Sequence, residues 1–321
     1  MKGKGSVTTR KEALTPANIN FTPTAVKAEG LSNLLFGNRF RAGLIRQTIT
    51  YALLIVMALL FLLPFYWMIN TALKTPQQVF TLPPTWIPQP VQLSNFSKAL
   101  VTRYESTPPV YVYAWNTIII TVNGVVATLI SSSMVAYAFA RLEFPGKNVL
   151  FLGILSTLMI PFAVVMVPQF IIWKNLDWLD TLWPLTIPHW FASAWNIFLL
   201  RQFFMGIPKE YDEAALMDGA SRWDIFWRII LPLSTPALAA VGVFAFVFFW
   251  NDFLGPLIIL STPKNFTLTI FLANFSVPYL QTTAWHLYMA AALIIIAPCL
   301  VLFFFSQNAF LKGITISDFK R

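Results

Sequence analysis

Five carboxylates crowd into EYDEAALMDGASRWDIFWRIILPLSTP, Glu210 to Pro236, in a 321-residue chain that is 57% hydrophobic and only 11% charged. Carboxylates so spaced can work as acid and base, hold a hard cation, or bind a basic partner. The first two uses need companions that this sequence lacks. Its two histidines, His189 and His286, are far apart and have no carboxylate pattern near them, so no metal site is expected. Its one cysteine, Cys299, excludes a disulfide framework or a cysteine zinc site and reads as a packing residue. No H-E-x-x-H, nucleophile elbow or paired-carboxylate arrangement appears, so no catalytic residue and no cofactor of its own are expected. The opening GKGS and Gly146-Lys147-Asn148 lack the strand and spacing of a phosphate loop. Docking is the remaining chemistry.

The acids fall on what reads as two short helices. Pro208 suits a first helical position, and Glu210, Asp212 and Glu213 place negative charge in the opening turns, where the helix dipole favours it. Gly219 sits where a left-handed cap would end that helix, and Ser221 with Asp224 can cap the next. Trp223, Phe226, Trp227 and Ile230 then recur at helical spacing, with Asp224 and Arg228 as an i,i+4 pair on the polar side. This second helix is expected to lie along the inner membrane surface until Pro232 turns the chain back. Ala214, Ala215 and Ala220 lie on or beside the first helix, and small residues let another backbone approach. A small, acidic, capped helix is a docking element.

The elements that must position this loop are apolar. Six stretches of roughly 20 residues carry almost no charge and can each cross about 30 Å of hydrocarbon. They run over about 45–69, 116–140, 149–173, 182–204, 235–260 and 287–310. The expected fold is an all-α membrane protein of six transmembrane helices, with the docking loop, 205–232, between the fourth and fifth. Residues 1–43 read as a poorly ordered cytoplasmic extension and 44–321 as the membrane domain, with its core at 116–310. Of 22 Lys and Arg, 17 fall on the side of the N-terminus and five opposite, so both termini and the loop are expected in the cytoplasm. The net charge of +9 therefore reflects topology and not nucleic acid. Trp173, Trp178, Trp183 and Trp285 read as interfacial anchors, with sugar stacking as the alternative. Among polar residues at membrane depth, Asn123, Ser131 to Ser133, Gln169, Asn196, Asn251 and Asp252 should face other helices or a wet cavity. Asp252 reads either as a structural hydrogen-bonding group or, with Asn196 and Asn251, as part of a translocation path.

Glu213-Ala214-Ala215, then Gly219, then Ile229, Leu231 and Pro232 reproduce the pattern E-A-A-x3-G-x9-I-x-L-P. In this the chain resembles the permease subunits of ATP-binding-cassette importers. The flanking text YAFARLEFPGK (from Tyr137), MIPFAVVMVPQF (from Met159), WNIFLLRQFF (from Trp195) and FVFFWNDFLGPLIIL (from Phe246) is similar to the carbohydrate branch, maltose type. The likeness runs from about residue 45 to 321. It implies that the loop couples to a dimer of cytoplasmic ATPases, which use the ATP. Carried over by position, Glu213 would pair with a basic ATPase residue, Ala214 and Ala215 would pack in its cleft, and Gly219 would make the turn; Asp212 and Asp218 flank them. It further implies a second related permease, an extracellular or periplasmic sugar-binding protein, and a bacterial or archaeal plasma membrane. The tail GITISDFKR keeps Gly313, Ile314 and Thr315 of a motif that in some members reaches between the ATPases, but continues with Ser317 and Asp318. A permease for a non-sugar solute shares the loop pattern. A secondary transporter would need internal charges or inverted repeats that this sequence does not display.

Overall fold

The computed structural model describes the backbone of residues 28–101, 108–274 and 284–314, and side chains within these from 46 to 307. The chain divides into two compact units, Met1–Pro64 and Phe65–Arg321. Helix α1 (Ala28–Ala72) contains that boundary. The expected N-terminal extension thus falls partly on residues 1–27, outside those described, and partly on helical backbone from Ala28.

The second unit is built of helices and turns, with no strand among its described residues. After α2 (Ser94–Val101) come α3 (Val110–Arg141), α4 (Lys147–Ser156), α5 (Phe162–Asn175), α6 (Ala194–Gly206), α7 (Glu210–Met217) and α8 (Arg222–Ile225). A π-turn, Phe226–Ile230, joins α8 to the short α9 (Leu231–Leu233), followed by α10 (Thr235–Asn251), α11 (Leu254–Ile259), α12 (Leu268–Asn274) and α13 (Trp285–Ile314).

Three described helices are long and apolar enough to cross a membrane, Arg46–Ala72, Val110–Arg141 and Trp285–Gln307, and two bent pairs would make five. The third expected span breaks at Ile160, whose extended backbone is what a following proline imposes, and its halves meet at 97°. The fourth, 182–204, is not one helix. Pro184 and Pro188 remove two N–H donors, the chain runs as 3-10 turns over Trp183–Leu185 and Ile187–Phe191, and only α6 is α-helical. Between α9 and α10 the chain turns by 77° at Ser234, two residues after Pro232.

Helix α3 is the post around which the unit packs. Near its N-terminal end Tyr113 joins Trp250, Phe271 and Ala290; in its middle Ile120 meets Leu185, Phe249 and Ile270; near its C-terminal end Tyr137 and Phe139 join Phe204, Ile225 and Phe226. The connections after α5 and α11 are tied separately. Asp180 accepts from the Ser261 and Thr262 amides, both at 2.9 Å, and from the Thr262 hydroxyl, while its own carbonyl takes the Asn265 amide. Burial alone would raise its carboxyl, but these hydrogen bonds hold it well below the usual aspartate range. A depressed carboxylate keeps its contribution until pH falls through the folded value, so the staple survives acid that protonates ordinary aspartates.

Close approach of α3 and α10 depends on Gly124. A Cβ there would stand 2.5 Å from the buried ring of Phe249. Gly124→Val is expected to cost about 1–3 kcal/mol through overpacking. A lowered melting temperature of the detergent-solubilised protein, partly restored by adding Phe249→Leu, is the expected reading; an unchanged one would refute the contact.

Candidate functional site

The acidic loop is built as two capped helices. Helix α7 has Glu210, Asp212 and Glu213 in its first turn, against the positive end of the dipole. It ends in a Schellman turn, the Ala220 amide donating to Ala215 O at 2.9 Å and the Gly219 amide to Leu216 O at 3.1 Å. Gly219 supplies the left-handed residue that this turn requires, with φ +82°. Ser221 then caps α8: its hydroxyl accepts from the Asp224 amide at 3.2 Å, and the Asp224 carboxylate takes the Ser221 amide in return. The Ser221 hydroxyl also donates to the Asp224 carboxylate at 2.5 Å, and this bond, followed by that from the Ser221 amide, holds the exposed Asp224 carboxyl below its ordinary value, with a smaller contribution from Arg228 at 3.4 Å.

One face of the loop is turned into the protein. Asp212 lies 3.7 Å from the Arg141 guanidinium, with side chains only 9% and 2% exposed. The same guanidinium donates to the carbonyls of Phe204 at 2.8 Å, which also takes the capping Ile207 amide, and of Ile207 at 2.7 Å, just past the end of α6. The Tyr137 hydroxyl donates to Arg222 O at 3.0 Å, and Phe226 packs against the Tyr137 ring with centroids 5.1 Å apart. Arg201 lies 4.1 Å above the Phe151 ring while donating to Phe139 O. The C-terminal end of α3 is thus tied to α6, α7 and α8.

The other face is open. Glu213, Ala214, Asp218 and Gly219 are exposed, and so is Met217, at 88%. Two expectations change here. Asp212 is turned inward, because a carboxylate one position before Glu213 on a helix points to a different side and meets Arg141. Ala215 packs with Ala220 against the inner core, leaving Ala214 as the outward alanine. Helix α8 and the π-turn after it also divide their apolar residues: Phe226 and Ile230 are buried, while Trp223 and Trp227 stay exposed.

A second feature is a cavity of about 550 Å³ between α3, α6 and α10, lined by Thr128, His189, Asn196 and Phe248 among others. Of the three expected path residues only Asn196 reaches it. Asn251 donates to Val247 O and to Cys299 Sγ, toward α13. The Asp252 carboxylate accepts from the Gly255 amide at 3.2 Å and its carbonyl takes the Thr269 hydroxyl, so it serves the break between α10 and α11. For Asp252 these bonds fit the structural alternative, and both residues sit where α10 ends, at Asn251. Among the described residues no cluster of His, Cys, Asp or Glu could hold a metal.

Residues 129–316 match the family model of the binding-protein-dependent transport system inner membrane component. The chain belongs to that family. The match begins on α3 and takes in Arg141, the loop and α13. The chain is 38% identical over 205 residues to the arabinooligosaccharides transport system permease protein AraQ of Halalkalibacterium halodurans, covering 64% of this chain and 72% of that one. It is 34% identical over 269 residues to the sn-glycerol-3-phosphate transport system permease protein UgpE of Yersinia enterocolitica, covering 84% and 95%. A solved bacterial ABC transporter involved in import of the acidic polysaccharide alginate shares the fold, with a TM-score of 0.72 at 24% identity, over 92% of this chain and 100% of that one. Membership in this family makes the chain a transport component of a membrane, and its apolar helices fit that.

Sequence reading missed Arg141, Tyr137 and His189 as site residues. Arg141 carried a signal, as one of the few cations beside a long apolar stretch; Tyr137 and His189 carried none.

Gly219 provides a clean test because a Cβ there meets nothing within 4 Å, so a substitution acts through backbone alone. Gly219→Val should cost about 1–2 kcal/mol for the left-handed conformation. Asn tolerates that conformation, so Gly219→Asn should keep most uptake while Gly219→Val loses it. Equal uptake by both variants would remove the turn from the mechanism.

Proposed function

We propose that this chain is one of two permease subunits of an ATP-driven importer of sugars or sugar derivatives. In this reading six spans cross the plasma membrane with both termini in the cytoplasm: the bent pair α4–α5 counts as one of them, 182–204 crosses as a broken segment, and the fifth begins with α10, after the loop. The loop at 205–232 seats on one of two cytoplasmic ATPases. ATP binding and hydrolysis reside there, and a solute-binding protein delivers the sugar on the other side. The tail from Thr315 lies outside the described residues.

The observation that carries this reading is the two-faced loop. Its inner face is fixed to α3 and α6 by Arg141, while its outer face offers Glu213, Ala214 and Asp218 on a capped helix. A helix held on one side and bare on the other transmits force from whatever grips it. The sugar assignment rests on relatives whose names specify arabinooligosaccharides, diacetylchitobiose and sn-glycerol 3-phosphate. A permease for an organic phosphate is the second reading, favoured by the last of these.

Purified in mild detergent, the chain should bring a related permease and an ATPase pair, and the isolated chain should hydrolyse no ATP. Glu213→Lys replaces a charge-assisted contact of about 1.5–3 kcal/mol with repulsion. Uptake should collapse, with partial recovery on reversing the facing basic residue of the ATPase. Wild-type uptake and intact co-purification by Glu213→Lys would contradict the assignment.

A further inference from the structure

Three features converge on the cavity between α3, α6 and α10. The first is its position: Thr128 on its wall lies within a turn of the middle of α3 (Val110–Arg141). The second is the backbone beside it. His189 belongs to the 3-10 turn Ile187–Phe191, and Ala192 follows with φ +62°. Backbone that is not α-helical is tolerated at membrane depth where it is buried in protein or lines a wet cavity. The third is chemistry. The side chains of Thr128, His189, Ser193 and Asn196 border the space, and none makes a hydrogen bond among the described residues. Facing them are the exposed rings of Trp195 and Phe248.

These groups suit one class of ligand. A volume of about 550 Å³ is in the usual range for a small-molecule site. Aromatic faces carry negative charge and attract the C–H groups of a sugar ring, while hydroxyl, amide and imidazole groups can exchange hydrogen bonds with its hydroxyls. No Lys, Arg, Asp or Glu lines the cavity. A phosphate or uronate would arrive there without a counter-ion, at a desolvation cost that an uncharged sugar avoids. Phe249 gives the site a rigid floor, its ring held by the absent side chain of Gly124 and by the edge of His189, 4.5 Å between centroids.

We propose that this cavity is a solute site on this chain itself, selective for an uncharged saccharide, in which Asn196 and Ser193 bind hydroxyls and Trp195 and Phe248 hold the ring. The proposal deepens the importer reading by naming its substrate class and the residues that meet it.

The test uses the assembled complex in nanodiscs, with Cys299→Ser as background and Ala245→Cys, in the cavity lining but with no binding role assigned, as reporter. Its modification by a small charged methanethiosulfonate is followed by mass spectrometry of this chain. Arabinotriose, diacetylchitobiose and maltotriose are titrated as neutral probes, sn-glycerol 3-phosphate as the charged one, and sorbitol as an osmotic control. At least one neutral saccharide should slow labelling, by about tenfold at ten times its dissociation constant. The phosphate and sorbitol should not, and adding Asn196→Leu should abolish protection while Asn196→Gln restores part of it. Protection by none of the saccharides, by the phosphate alone, or equally in Asn196→Leu overturns the site. Saccharide-stimulated ATP hydrolysis by the wild-type complex without protection would overturn the site and spare the importer reading. Protection with no hydrolysis would do the reverse.

Discussion

Arg141 does what no apolar residue could. At the last turn of α3 its guanidinium satisfies two carbonyls at the end of α6 and faces the carboxylate of Asp212 on α7, so three helices meet on one side chain. Such a buried pair adds little stability over a well-packed apolar replacement, but removing either partner leaves an unpaired charge in a closed space at a cost of about 3–5 kcal/mol. The planar fork of arginine matters too. A lysine could reach one acceptor as a point charge but could not span carbonyls of Phe204 and Ile207 while facing Asp212.

From that tie the remaining architecture takes its meaning. The loop is divided into a fixed face and an offered face, and α3 runs from the fixed face to the cavity wall. Arg141 and Thr128 are 13 residues apart on one helix, about 20 Å at 1.5 Å per residue. In the proposed importer, a displacement of α7 by an ATPase reaches the wall through a single rigid rod. Gly124 lets Phe249 of α10 lie directly on that rod, so the far side of the cavity rides on it as well.

Much of this was legible in the sequence, for reasons specific to particular residues. Gly219 and the Ser221–Asp224 box were readable because caps are local chemistry, and both formed. The long apolar runs of α3 and α13 were readable because length and hydropathy suffice. What sequence could not give was direction. Asp212 and Glu213 are adjacent acids of one charge, and only the packing of α7 against α3 sends one to Arg141 and the other to solvent. Hydropathy also overran the stretch 182–204, where Pro184 and Pro188 outweigh the apolar composition and unwind the backbone beside His189. Asn251 and Asp252 stand out in the sequence because they are polar and deep, but only the structure shows where their hydrogen bonds go, to Val247, Cys299, Gly255 and Thr269.

Hydrogen–deuterium exchange of the assembled complex carrying Arg141→Leu tests the central claim most directly. If Arg141 fixes the loop, amides of α7 and the end of α6 should exchange faster than in the wild type, while those of α10 and α13 are unchanged. Protection of α7 that is the same in both proteins would contradict the account, since the loop would then be held by something other than this arginine.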